Sequence, residues 1–240
     1  MIVTARTGIA KPGHLSDALL FTAGIVENMN SKFGVDFSIN IEVGGDPNAM
    51  HLVGRFESMG DYQEFREAYM ADAEMSEQIK QGAELADITE DVLGEVIVPT
   101  ERNAYGVINT LHAISTNQPA AMEFCAQVCG LASEIIGTPV GLLRRITGDL
   151  SMVSFVIGHS SLQAVYDAEA ACLSDERYLA LYAESACISD ITPSELSLML
   201  FAFSIVNSSV SASSISVHLK TPFSLAPVTE TLMPSSKTDT

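Results

Sequence analysis

The stretch "ELADITEDVL", residues 84–93, returns later in the chain as "CISDITPSEL", residues 187–196. The echo is part of a duplication. Sliding the sequence by 103 residues lays 1–98 over 104–201 without a gap, with about 17 identities against about six expected at ordinary residue frequencies. Ala18/Ala121, Phe21/Phe124, Ala23/Ala126, Gly34/Gly137, Gly45/Gly148, Asp46/Asp149 and Asp72/Asp175 coincide. A repeat of this length decides architecture before any single element does, because each copy must fold the same way and then cover what its twin leaves exposed.

Each copy reads in the same order. In the first, alternation predicts a strand over about 2–9, followed by the "KPG" turn. Leu15, Ala18, Leu19, Thr22, Ile25, Val26 and Met29 have helical spacing over about 13–31, ending before Gly34. "VDFSINIEV" at 35–43 alternates apolar and polar residues, and "GGDPN" turns the chain into a strand at about 50–57. A long acidic helix over about 60–84 and the strand "VLGEVIV" complete β-α-β-β-α-β, the ferredoxin-like unit. The fold class is α+β: two tandem ferredoxin-like repeats packed sheet to sheet as an intrachain dimeric α/β barrel. The first repeat occupies 1–98, a linker 99–103 and the second repeat 104–201. A Ser/Thr/Pro-rich extension, 202–240, reads as partly flexible, with a beginning able to extend the last strand.

Composition narrows the partners. The net charge is −18 with only 12 Lys and Arg, so phosphate backbones and anionic lipid surfaces are repelled. No nucleic acid or membrane partner is expected. The most apolar run, "LSLMLFAFSIV" at 196–206, is too short to span a bilayer, and the chain reads as cytoplasmic. Cys125, Cys129, Cys172 and Cys187 form no CxxC pair, so buried thiols rather than a metal site are expected. The acidic residues of 61–77 read as a solvated helix face.

The segments "RTGIAKPG" entering a helix, "KFG" before a hairpin and "LADIT" before the last strand resemble the dimeric α/β-barrel superfamily. The likeness covers about residues 1–200 and lies nearest to tandem bacterial proteins that are NIPSNAP-like or similar to antibiotic-biosynthesis monooxygenases. The superfamily holds cofactor-independent monooxygenases, haem-degrading enzymes, chlorite dismutases and isomerases. Its haem-degrading members use a Trp and a helix-borne His; this chain has no Trp, and His14 stands at the very start of a helix. No motif transfers residue by residue. The resemblance therefore implies a small-molecule-binding barrel without cofactor, an oxygenase or isomerase for a small aromatic or enolic substrate. The alternative is a non-catalytic binding or self-assembly module, and a homo-oligomer is compatible with either.

Strand alternation sorts candidate site residues onto faces. In the first repeat, Val3, Ala5, Thr7, Phe37, Ile39, Ile41, Leu52 and Phe56 are expected under the helices. Thr4, Arg6, Ser38, Asn40, Glu42, His51 and Arg55 are then expected to face the barrel interior. Arg6, His51 and Arg55 with Asn40 and Glu42 can bind an anionic molecule or polarise a carbonyl. The plainer alternative is an ion-pair network joining the sheets, with Glu42 on Arg55 or Arg6 and Arg145 at the equivalent position across the barrel. In the second repeat, His112 replaces Ile9, Arg144 replaces Ile41 and His159 replaces Phe56. A polar residue on a helix-covered face must be paired or line a cavity. One reading is a cleft holding His112 and Arg144 as catalytic residues with Tyr166 beside them, and His159 at the opposite end of the sheet; the plainer alternative is that these residues sit at strand ends and reach water.

Overall fold

The computed structural model describes residues 1–43, 45–112, 118–185 and 204–207; at 109, 111, 112, 182, 184, 185 and 204–207 the description is of the backbone alone. The first repeat runs β1 (Ile2–Ala10), α1 (Leu15–Phe33), β2 (Asp36–Val43), β3 (Ala49–Phe56), α2 (Met59–Ala71), α3 (Ala73–Gly82) and β4 (Ala86–Val98). The second runs β5 (Tyr105–His112), α4 (Gln118–Ile136), β6 (Val140–Arg145), β7 (Met152–His159), α5 (Leu162–Ser174), α6 (Glu176–Ser185) and β8 (Ser204–Asn207). Helices α4, α5 and α6 and strand β7 begin and end 103 residues after their counterparts.

The same local devices recur at that offset. Gly34 and Gly137 end α1 and α4 with φ of 65° and 69°, the left-handed conformation that glycine adopts without strain. Asn30 accepts from Phe37 N at 2.8 Å and donates to Phe37 O, tying α1 to β2; Ser133 accepts from Val140 N at 2.8 Å in the same place of the second repeat. Ser58 and Ser161 cap α2 and α5 through the amides of Asp61 and Ala164. The single long helix expected over 60–84 is broken at Asp72. Its backbone turns extended, and its carboxylate caps α3 through the Met75 amide.

The strands close into one antiparallel barrel in the order β1-β3-β2-β8-β5-β7-β6-β4. The two sheets thus do more than face each other: they are joined along both edges, β4 to β6 and β2 to β8. The last strand departs from the constant offset. Ile2 pairs with Glu95, but Tyr105 pairs with Asn207, an offset of 112. The barrel therefore takes its eighth strand from the segment beyond 201.

Helices cover the outside. Ala18, Leu19 and Ala23 of α1 pack on Ile39 and Met50, while Met29 and Met75 join Ile2, Phe37 and Phe56. In the second repeat Ala121, Cys125, Cys129 and Ala132 of α4 pack on Val140, Leu142, Val153 and Phe155. The register corrects one expectation. Ile2 lies opposite Phe56 and Arg6 opposite Leu52, so the even-numbered residues of β1 are on the helix side. Val3, Ala5 and Thr7 lie opposite Arg55, Val53 and His51 and face the interior instead. β2 and β3 keep the faces that alternation predicts.

The linker 99–103 lies against the inner faces of the second repeat. Thr100 donates to Pro139 O at 2.6 Å, and Arg102 crosses to β2, where it meets both carboxylate oxygens of Asp36 at 2.8 Å. A Cβ on Gly158 would lie 2.4 Å from the Glu101 carbonyl oxygen. Backbone meets backbone there, and a side chain has nowhere to go. Gly158→Ala is expected to destabilise the fold by roughly 1–3 kcal/mol, as overpacking of a close contact does, read from the midpoint of denaturant unfolding.

Candidate functional site

Inside the barrel, polar residues of neighbouring strands pair with one another. His51 Nε2 meets Glu42 Oε1 at 3.0 Å and His51 Nδ1 meets Thr7 Oγ1 at 3.1 Å. The other Glu42 oxygen accepts from Asp46 N at 2.8 Å, and Asn40 Nδ2 reaches His51 O at 3.5 Å. Arg145, equivalent to Glu42, is paired with Glu90 at 2.7 Å, and Thr110 with Ser154 at 2.8 Å repeats the Thr7–His51 contact. Of the expected set, then, the structure brings together His51, Glu42 and Asn40. Arg55 lies apart, 3.4 Å from Ser38 Oγ and 3.9 Å from Asp36; burial lowers its pKa, with Arg102 adding to that and Asp36 opposing it. Arg6 is on the outer side, ion-paired with Asp91. Glu42 is satisfied by His51 rather than by either arginine.

Of the cleft expected from His112, Arg144 and Tyr166, the two side chains that are described are both exposed. Arg144 is exposed and paired with Glu95 across the β4–β6 seam. Tyr166 on α5 is 67% exposed. The His112 backbone pairs with Met152, and its side chain lies outside the described residues.

A cavity of about 100 Å³ does open between sheet and helices in the second repeat, and His159 is the predicted residue that lines it. Its walls are Val107, Val140, Phe155 and Ile157 from the strands, Val128, Ala132 and Ile136 from α4, and Val165, Ala168, Glu169, Cys172 and Leu173 from α5, with Tyr178 of α6. The origin of this space is visible at the 103-residue offset. In the first repeat the same positions carry Phe33, Phe37, Phe56, Tyr62, Phe65 and Tyr69, stacked with centroid separations from 5.2 to 5.9 Å. Their counterparts are Ile136, Val140, His159, Val165, Ala168 and Cys172, and Met29 becomes Ala132. Six rings and a methionine have been exchanged for one imidazole and smaller side chains. Ile157 for Gly54 and Tyr178 for Met75 restore only part of the volume. Aromatic loss in one copy was the sequence signal for this site, and it lay in the alignment beside the His159 substitution.

Two polar groups matter in the cavity. His159 is 5% exposed, and its ring has no hydrogen-bond partner among the described residues. Burial holds its pKa below the ordinary histidine value, so the imidazole is neutral at pH 7 and available as a proton acceptor. The half-buried Glu169 carboxyl is raised by burial and has no hydrogen bond or ion pair among the described residues. The thiols are poor nucleophiles: burial pushes Cys125 up to about 11 and Cys129 up to about 12, and it raises Cys172 as well. A haem does not fit. The space is well below the roughly 300–1,000 Å³ of pockets for drug-sized ligands, and only one imidazole enters it.

The sequence matches no protein-family model and no curated protein. Its structure is similar to a candidate monooxygenase from Fusobacterium nucleatum, with a TM-score of 0.57 at 9% identity over 78% of this chain and 86% of that one. A candidate monooxygenase from Lactobacillus acidophilus gives 0.52 at 8% over 78% and 88%, and a double-mutant chlorite dismutase from Candidatus Nitrospira defluvii 0.53 at 10% over 90% and 94%. These likenesses show a shared fold, a distant α+β arrangement of ferredoxin-like repeats of the dimeric α/β-barrel kind. Among the described residues no helix is long and apolar enough to cross a membrane.

The unpartnered imidazole makes a stability prediction. His159→Phe restores the residue of the first repeat and is expected to stabilise the fold by roughly 1.5–3 kcal/mol, as apolar ring surface is buried in place of a desolvated imidazole. Its folded pKa lies below the unfolded value of about 6.5, so the unfolded chain takes up the proton first. Wild-type stability, relative to the variant, is therefore expected to fall as pH drops through about 6.5 and to be flat above it. Denaturant unfolding of both proteins between pH 5 and 8 reads the difference.

Proposed function

We propose that this protein binds a ring-sized, largely apolar molecule in the cavity of the second repeat and acts on it without a cofactor, as an oxygenase or isomerase of an aromatic or enolic compound. His159 is the proton acceptor in this reading. The observation that carries it is the exchange of a packed aromatic cluster for a cavity lined by one buried imidazole, which has no hydrogen-bond partner among the described residues. An apolar cavity near 150 Å³ is large enough for benzene, and a space of about 100 Å³ whose lining includes the partly exposed Leu173 and Glu169 is on the scale of one ring. The apolar wall would hold the ring. The neutral imidazole would remove a proton from an acidic O–H or activated C–H at its edge, a first step common to cofactor-free oxygenation and to isomerisation. The shared fold with candidate monooxygenases is compatible with this chemistry and does not by itself assign it.

Ligand-observed NMR with neutral single-ring probes such as phenol and cyclopentanone tests the binding step. Saturable binding to the wild type, lost in Ala168→Phe, is the expected result, because that substitution returns the first-repeat ring to the space. Binding that survives the plug places the ligand elsewhere and sinks the reading. The proton-transfer step is tested by exchange of the α C–H of bound cyclopentanone, neutral at pH 7, with deuterated solvent, expected to slow at least tenfold in His159→Ala.

A further inference from the structure

The polar lining of the cavity also specifies a charge. Glu169 replaces Arg66 of the first repeat, where the guanidinium meets the Tyr62 hydroxyl at 3.2 Å; in the second repeat Val165 stands in place of that tyrosine. The mouth of the cavity has thus changed sign and lost its internal partner. No compensating cation comes from the neighbouring helices. Arg177 of α6 is already held by Asp175 and by Glu134 of α4, each at 2.8 Å. Asp175 adds to the negative field at the cavity wall, since it helps hold the Cys172 thiol in its protonated form. The deeper group, His159, is neutral. A carboxylate at the rim, an apolar wall and a neutral imidazole beyond it form a site of one polarity. An anionic guest would meet Glu169 and the net charge of −18, whereas a cation would find a partly desolvated carboxylate with no competing cation among the described residues.

Resting on the cavity reading above, we infer that the ligands of this site are small amines: a single apolar ring carrying one protonated nitrogen, the ring against Val140, Phe155 and Ala168, and the ammonium on Glu169. Glu169 is a specificity-determining residue in this assignment, and His159 meets the far edge of the ring.

The test is a matched set of probes, toluene, benzylamine and benzoate, measured by ligand-observed NMR at moderate salt against wild type, Glu169→Gln and Ala168→Phe. Benzylamine is expected to bind at least tenfold more tightly than toluene, and benzoate more weakly than either. The amine advantage is expected to vanish in Glu169→Gln while toluene affinity stays within about twofold. An advantage that persists in Glu169→Gln reflects general attraction to an acidic chain and overturns the inference. Equal affinity for toluene and benzylamine overturns it too but leaves the cavity as a ring site. Absence of toluene and benzylamine binding, or binding unchanged by Ala168→Phe, removes the cavity reading itself.

Discussion

Edge pairing is the constraint from which the rest of this structure follows. A four-stranded ferredoxin-like sheet has helices on one face, an open second face and two strands with unpaired backbone groups at its sides. Exposed edges invite pairing with other chains, and a closed barrel abolishes them. Here β4 reaches across to β6 and β8 to β2, so each repeat completes the other. The same closure hides both inner faces and pushes every helix outward. It also explains why the interior holds polar side chains without penalty: Thr7, His51 and Glu42 are satisfied in sequence from strand to strand, and Arg145 finds Glu90.

A cavity lies between sheet and helices in the second repeat, and there the two copies differ. The first repeat spends six aromatic residues on a dense cluster. The second surrounds about 100 Å³ of space with smaller side chains, so fewer apolar contacts hold its helices to the sheet. Departures from good packing of this size cluster at functional sites, where binding recovers what folding gives up. One repeat packs its helices densely on the sheet, and its twin leaves a cavity there.

Several elements were legible before the structure. The echo at Asp87-Ile88-Thr89 exposed the duplication, and helix and strand positions then followed from periodicity. Faces were legible where one parity is apolar, as in "VDFSINIEV", and illegible where it is not. "MIVTARTGIA" places Ile2 and Ala10 on one parity and Val3, Ala5 and Ile9 on the other, so its phase depends on Ile2 pairing with Phe56. Arg6 was misplaced for that reason. Arg144 was expected in a covered cleft, but its position at the seam with β4 gives it Glu95 and water. The break at Asp72 was hidden because an aspartate inside an amphipathic stretch reads as surface until its carboxylate is seen to cap the next helix.

By itself the sequence determined the repeat, the order of elements and the replacement of Phe56 by His159, since these depend on composition and spacing along one chain. Tertiary structure alone decided which strand closes the barrel, how β1 is phased, and that His159, Ala168, Glu169 and Cys172 share one cavity. The physical reason is that these outcomes depend on contacts between distant segments. A lost ring in one element becomes a cavity only if the residues packed against it, contributed by other elements, fail to fill the space.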